Sequence, residues 1–460
     1  MSSKRPNIVF MFSDQQRFDT LGCYGQKLPV TPNLDRLARE GTKFNFAFTC
    51  QPVCGPARAC LQTGKYAAEL NCFVNAMPLP KDTRTIAECF NDAGYDTAYV
   101  GKWHLASDNE HNYKDSPVPE ERRGGYKYWM ASDVLEFTSH GYNGHVFDNE
   151  NKQHDFVGFR ADCIQEFALD YIRNRDKNSN RPFFLFISHI EPHHQNDHKI
   201  YEGPDGSKEK WKDFEVPGDL IGTGGNWKEN YPDYLGACNA LDNNVGKLMD
   251  TLKTYGYLEN TIFIYTSDHG THFKTRNPEY KRSCHESSIR VPMIAYGPGF
   301  MGGKVINDLA SLIDIPTLLD CAEIEKPDGF RGNSLLKLAK GEAENWPDAV
   351  FLQISENHIG RAVRTDKWTY SVRALGDAGT QKDADVYYDY LLYDLENDYY
   401  QKNNLIGKPG YENITASLRQ ILKEKMAEAG EEMPEILPNT MAPEEWHQFN
   451  EFTPSKRKAI

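Results

Sequence analysis

The chain reads as an α/β protein in which helices sandwich a large, mostly parallel sheet, followed by a smaller C-terminal α+β domain carrying an antiparallel sheet. Three observations predict this. The runs Asn7-Ile8-Val9-Phe10-Met11-Phe12, Phe183-Phe184-Leu185-Phe186-Ile187 and Thr261-Ile262-Phe263-Ile264-Tyr265-Thr266 are nearly continuous in apolar character, as strands buried on both faces are. Segments with apolar residues at helical spacing alternate with these runs, the pattern of a parallel sheet with crossover helices. Near residue 345 the pattern changes to hairpin-like segments. The expected organisation is a catalytic domain over 1–345, an antiparallel α+β subdomain over 346–432 and an extended tail over 433–460, in keeping with 460 residues, too many for one ordinary core.

Taken in order, the first run is a strand that ends in Ser13-Asp14-Gln15-Gln16-Arg17. Thr31-Pro32-Asn33 opens a helix through Leu34, Leu37 and Ala38 that stops at Gly41. Phe44, Phe46 and Phe48 alternate as in a half-buried strand. Pro56 then suits the first turn of a helix, because its missing N–H would have no partner there. A helix through Ile86, Cys89 and Phe90 ends at Gly94, and the strand Thr97–Val100 leads into Gly101-Lys102-Trp103-His104. Residues 105–155 read as long polar loops over the site. Ala161, Ile164, Ala168 and Ile172 mark a helix before the second apolar run, which ends in Ser188-His189-Ile190-Glu191-Pro192-His193-His194. A long helix passes through Leu235, Cys238, Leu241, Val245, Leu248 and Leu252, and the third run presents Ser267-Asp268-His269-Gly270. Met293–Tyr296 is one more strand, and Leu312–Leu319 lie in a helix interrupted by Pro316. Beyond it, Arg361–Tyr370 reads as a hairpin, Tyr390–Leu395 as a strand, and Leu418, Ile421 and Met426 as a helix face.

A net charge of -14 argues against nucleic-acid or membrane-surface partners, which require a basic footprint. Ten irregularly spaced cysteines form neither a disulfide framework nor a zinc motif, so a reducing compartment is the plain reading. With no export signal visible, the expectation is cytoplasmic, or periplasmic or secreted where a signal has been removed.

Against that acidic background, four strand ends carry polar clusters: Asp14-Gln15, Lys102-x-His104, His193-His194 and Asp268-His269. In a doubly wound sheet such ends converge on one edge. Two carboxylates, an amide and an imidazole make a site for one divalent cation. Arg58, Lys102, His104 and Lys281 would surround it, which implies a small, strongly anionic ligand such as sulfate or phosphate. Cys54 would sit just before a helix N-terminus, where backbone N–H groups stabilise an anion, with Arg58 one turn on leaning back toward it. Singly, each feature has a plainer reading: an inert buried cysteine, a turn, a solvated Lys-x-His, a loop. Their shared position after apolar strands favours chemistry.

These residues resemble the type I, formylglycine-dependent sulfatases of the alkaline phosphatase superfamily. Cys54-Gly55-Pro56-Ala57-Arg58, continuing to Leu61-Gln62-Thr63-Gly64-Lys65, resembles the signature in which the cysteine is oxidised to formylglycine. Asn7–Asp14, Thr31–Asp35, Gly101–His104, Ser267–Gly270, Arg290–Pro292, Tyr393–Asp398 and Asn403–Leu405 match further family segments in order. The resemblance implies an alkaline phosphatase-like fold and hydrolysis of a sulfate monoester, on a sulfated carbohydrate. It implies a formylglycine gem-diol from Cys54 as nucleophile, with Arg58 and Lys102 holding oxygens of the diol and sulfate. His193 and Lys281 would contact the ester oxygen, one of them protonating the leaving alcohol, and His104 would assist proton removal from the second hydroxyl. The metal set would be Asp14, Gln15, Cys54, Asp268 and His269, with Ca2+ ahead of Mn2+ or Mg2+. A formylglycine-generating enzyme is the implied maturation partner.

The sequence departs from the common family pattern at Asp14-Gln15 and Asp268-His269, as choline sulfatases and phosphonate monoester hydrolases do, and His285 replaces a commoner tyrosine. A phosphonate monoester or phosphodiester hydrolase is therefore the alternative enzyme, and a non-catalytic anion-binding relative the alternative class. His189, His194 and His272 are expected near the pocket, and substrate identity in residues 105–160 and 194–230.

Overall fold

The structure is a computed structural model that describes residues 5–108, 111–176 and 179–439. The chain runs β1 (Asn7–Ser13), α1 (Pro32–Glu40), β2 (Thr42–Phe48), α2 (Cys54–Thr63), α3 (Ile86–Asp92), β3 (Asp96–Lys102), β4 (Tyr128–Ser132), β5 (Ser139–His140), β6 (Asn143–Asp148), β7 (Gln153–Val157), α4 (Arg160–Arg173) and β8 (Phe183–Ser188). It continues through α5 (Ser207–Lys210), α6 (Trp227–Thr254), β9 (Thr261–Ser267), α7 (Glu286–Ile289), β10 (Arg290–Val291), β11 (Met293–Tyr296), β12 (Lys304–Ser311) and α8 (Leu335–Lys340), with a 3₁₀ helix at Leu312–Ala322.

Among the described residues, twelve strands form one mixed sheet in the order β10-β2-β11-β9-β1-β8-β3-β4-β6-β5, with β12 on β2 and β7 on β6. Its centre, β9-β1-β8-β3-β4, is parallel, and the antiparallel pairings lie to either side. The period-two alternation of β1 explains the sandwich. Ile8, Phe10 and Phe12 face α2, α3 and the Leu312–Ala322 helix, whereas Val9 and Met11 face α1, α4 and α6. Each such fully buried side chain contributes about 1.5–3 kcal/mol relative to exposure. Because β9, β1, β8 and β3 are parallel neighbours, Ser13, Lys102, Ser188 and Ser267 end on one edge.

The reading of residues 105–155 as loops is corrected: β4 extends the parallel sheet beside β3, and β5–β7 form a meander at its margin. Those strands are short, and β7 has a single buried residue, Phe156, so neither an apolar run nor clear alternation marked them.

A second sheet, β13 (Ala349–Ile354), β14 (Ile359–Thr365), β15 (Trp368–Ala374), β16 (Val386–Asp394) and β17 (Glu435–Leu437), packs on α9 (Glu412–Glu428). It is antiparallel except that β17 joins β16 in parallel, so residues expected in the tail belong to the sheet; the tail from 440 onward lies outside the described residues. Phe48, Ile289 and Leu309 of the first sheet's region share a core with Val350, Leu352 and Ala362 of the second. All ten cysteines are free thiols, and no helix among the described residues is long and apolar enough to cross a membrane.

Candidate active site

Cys54 is the first residue of α2, with extended Val53 as N-cap and Gly64 closing the helix at φ 65°, a left-handed conformation that suits glycine. Every residue of α2 is buried. β3 approaches β8 closely at Gly101, whose φ is +107° and where a Cβ would lie 2.0 Å from the Ser188 carbonyl oxygen, so no side chain fits. That approach brings Lys102 beside Asp14 on the next strand but one.

Cys54 Sγ lies 2.7 Å from Lys281 Nζ, 3.3 Å from His269 Nε2 and 3.4 Å from Asp14 Oδ1. Asp14, Cys54, Asp268 and His269, all buried, offer ligand atoms within 4.8 Å of one another. Asp14 Oδ2 accepts from Arg58 Nη2 at 3.0 Å and pairs with Lys102 Nζ at 3.0 Å; Lys102 also pairs with Glu136 Oε2 at 3.1 Å. Arg58 thus reaches the same carboxylate that contacts Cys54 Sγ. Its Nη1 donates to the Lys102 carbonyl and to Ser188 Oγ, which fixes the guanidinium across the strand ends. Gln15 sits at φ 69°; its amide nitrogen donates to Tyr201 and Thr271 hydroxyls, and its Oε1 is buried with no hydrogen-bond partner. Asp268 Oδ2 likewise accepts no hydrogen bond, and Arg58 Nη2 is 3.7 Å away.

The electrostatics follow from burial and charge. Burial opposes the charge of Asp14, but the cations Lys102, Arg58 and Lys281 outweigh it and hold its carboxyl well below the usual range. For Asp268 burial and the neighbouring Asp14 win, pushing it up to about 7. A divalent cation would relieve that repulsion and use the unpartnered oxygens of Gln15 and Asp268, so the donor set fits one. The Cys54 thiol is pushed up to about 12 by burial and Asp14, against Lys281 and Lys102. In the unconverted protein Cys54 is thus a protonated thiol, a poor nucleophile at neutral pH.

His193 Nδ1 donates to the His194 carbonyl at 2.6 Å, so its Nε2 is a lone-pair acceptor facing Lys281 Nζ at 3.3 Å. Burial and Lys281 keep this ring neutral. His104, at φ 61°, has a buried Nδ1 without a partner, and burial with Lys102 and Arg58 holds it neutral too. The neighbouring histidines are divided. His194 stacks between His193 and Tyr280, with ring centroids 4.5 and 4.0 Å away. His272 donates toward the Lys281 carbonyl and positions that segment. His285 pairs with Tyr393 of β16. His189 is not in the site: its Nε2 meets Gln165 of α4 on the opposite face of the sheet.

Several residues emerged only from the fold. Glu136 holds Lys102, and Asp133 accepts from the backbone of Leu105, Ala106 and Ser107, fixing the turn after His104. Tyr201 and Thr271 orient Gln15, and Asn75 Oδ1 accepts from Gly55 N. Each is a single polar residue within an irregular stretch, with no motif to single it out.

The family model described as Sulfatase matches residues 6–324, and that described as N-sulphoglucosamine sulphohydrolase, C-terminal, matches residues 279–428. An ulvan-active sulfatase of Formosa agariphila is 34% identical over 450 residues, covering 93% of this chain and 82% of the relative. A solved structure in complex with its substrate D-glucosamine-2-N,6-O-disulfate superposes with a TM-score of 0.75 at 25% identity, covering 93% of this chain and 98% of that one. The phosphonate monoester hydrolase of Agrobacterium radiobacter superposes with a TM-score of 0.70, covering 92% and 96%; at 21% identity this is a likeness of fold.

Proposed function

The chain belongs to the sulfatase family and is a hydrolase of sulfuric esters; from that premise we propose that it removes a sulfate monoester from a carbohydrate through a formylglycine made from Cys54. The observation that carries this reading is the position of Cys54 Sγ, which lies between the Lys281 ammonium and the donors Asp14 and His269. Sγ marks the place of an oxygen on Cβ once the residue is converted. The carbohydrate rests on the relatives, of which one is named for ulvan and another is bound to a glucosamine disulfate.

The geometry supports the following roles. As a hydrated aldehyde, position 54 supplies one hydroxyl for attack on sulfur and a second whose deprotonation releases sulfate. Asp14, Gln15, Asp268, His269 and position 54 would hold a divalent cation, which would supply charge neutralisation for the sulfate, and calcium would suit the oxygen donors among them. Arg58 and Lys102 hold sulfate and diol oxygens, anchored by Ser188 and Glu136. Lys281 donates the proton to the leaving alcohol, because His193 presents a lone pair rather than an N–H on that side. His104, neutral and with a free ring nitrogen, takes the proton from the second hydroxyl. Since α2 is wholly buried, the maturation enzyme would reach Cys54 only before folding.

The test is a mass spectrum of the peptide holding Cys54 after expression with and without a formylglycine-generating enzyme, paired with rates on a sulfated monosaccharide and an aryl phosphonate. Aldehyde at position 54 together with sulfate release is expected. A persistent thiol under maturation would overturn the nucleophile, and far faster cleavage of the phosphonate would overturn the substrate.

A further inference from the structure

A second group of ligating side chains lies outside the catalytic centre. His140, the last residue of β5, and Asp197 and His198, on the loop after His193-His194, offer ligand atoms within 4.8 Å of one another. His140 Nε2 is 2.8 Å from Asp197 Oδ2, and His198 Nε2 is 3.7 Å from the same oxygen. The imidazole rings lie nearly parallel, with centroids 4.9 Å apart and planes 14° apart. All three side chains are about half exposed, so an ion in solution reaches them.

The orientation of His198 is the informative feature. Its Nδ1 contacts Glu202 Oε1 at 2.5 Å, and Glu202 Oε2 is itself held by the backbone N–H of Gly141. A carboxylate on Nδ1 fixes the tautomer and directs the Nε2 lone pair at Asp197, the carboxylate–histidine–metal arrangement that raises ligand basicity. Asp197 is oriented in turn, its other oxygen accepting from Gln195 Nε2. A tetrahedral ion about 2.0–2.1 Å from each donor separates them by about 3.4 Å, between the two distances to Asp197 already present.

We propose that His140, Asp197 and His198 form a second metal site, selective for a borderline transition ion such as Zn2+ or Co2+, with solvent completing the coordination and Glu202 as its outer carboxylate. Two imidazoles and one carboxylate favour such ions over calcium, which takes oxygen donors. The site ties the β5 hairpin to the loop over residues 195–202. Those segments are continuous with Glu136, which holds Lys102, and with His193, which faces Lys281. Gln195 already bridges them through its amide, which donates to the Glu136 carbonyl. The bound ion thus braces the rim that positions both catalytic lysines, while lying apart from the buried Asp14 and Asp268.

The experiment is a Co2+ titration of untagged protein in excess calcium, read by visible d–d absorption. One equivalent is expected, with affinity lowered at least about 100-fold in His140→Asn and in His198→Asn, and about 10–100-fold in Glu202→Gln. Asp268→Asn should keep the band. Amide exchange across residues 195–202 should slow on Co2+ addition in the wild type and not in His140→Asn. Unchanged Co2+ affinity in His198→Asn would overturn the proposal, and so would a band lost in Asp268→Asn but kept in His198→Asn, which would place the ion in the catalytic centre.

Discussion

Replacing Lys281 with alanine separates the two ways in which the leaving group is assisted. Lys281 Nζ is 2.7 Å from Cys54 Sγ and 3.3 Å from the unprotonated Nε2 of His193. It is the charged donor beside the position where the leaving oxygen must develop negative charge. Deleting such a preorganised donor costs about 2.7–4 kcal/mol, a loss of about 10²–10³. Loss of general-acid catalysis removes a further factor of about 10²–10⁴. A sugar alcohol needs both contributions, so Lys281→Ala should lower kcat/KM on a sulfated monosaccharide by about 10⁴–10⁷. A nitrophenolate departs without a proton, so on 4-nitrophenyl sulfate the loss should be about 10²–10³. His193→Ala removes a neutral ring that aligns Lys281, and should cost about 10–10² on both substrates alike. Steady-state rates on the two substrates give the comparison, with the thermal midpoint of each variant as the folding control. Equal losses on both substrates for Lys281→Ala, or a stronger leaving-group dependence for His193→Ala, would refute the assignment of the proton to Lys281.

Four further outcomes are expected. Cys54→Ser, lacking a second hydroxyl, should give at most one slow turnover with sulfate retained on the protein, seen as one sulfate per chain in the intact mass; sustained turnover sinks the mechanism. Chelation should abolish activity, and calcium, manganese and magnesium added back singly will rank the metals. In the chelated protein the folded-state pKa of Asp268, about 7, lies above its ordinary value, so its contribution to stability is lost as pH rises from about 4 to about 7. Asp14, held low, contributes stability that is lost only as pH falls below the carboxylate range. The thermal midpoint of chelated protein should therefore decline between pH 5 and 7, by an amount that calcium suppresses; a flat profile contradicts the buried carboxylate pair. Gly101→Ala places a Cβ against the Ser188 carbonyl at positive φ, and should lower unfolding free energy by about 1–3 kcal/mol or more in urea titrations.

The parts of the site that were legible in the sequence share one physical cause. Strands buried on both faces are continuous apolar runs, so the break at Asp14, Lys102 or Asp268 marks both the strand end and a ligand edge. What escaped notice depends on tertiary encounters. Glu136 lies in a short 3₁₀ turn at Leu135–Phe137 and finds Lys102 only because β4 stands beside β3. Tyr201 reaches Gln15 across 186 positions of sequence. Local motifs report the helix terminus and the nearby cations, whereas burial and Asp14, which arrive from the sheet, decide the charge state of the Cys54 thiol.

The second sheet also reaches the segment around the start of α2. Glu356, between β13 and β14, accepts from Asn75 N at 2.6 Å and pairs with Arg282 Nη2 at 2.5 Å. Gln353 N donates to the Cys50 carbonyl and Ser355 Oγ accepts from Gln51, so the second sheet grips residues 50–51 directly. Asn75, held in this way, accepts the N–H of Gly55. Free N–H groups in the first turn are what give a helix start its affinity for anions. Here one of the nearest is already engaged, and Pro56 has none. Positive charge beside position 54 also comes from the side chains of Arg58, Lys102 and Lys281. Arg58 and Lys102 are anchored on Asp14, Ser188 and Glu136 rather than on the sulfur, whereas Lys281 donates to Sγ itself, so the three cations surround the space a sulfate group must fill.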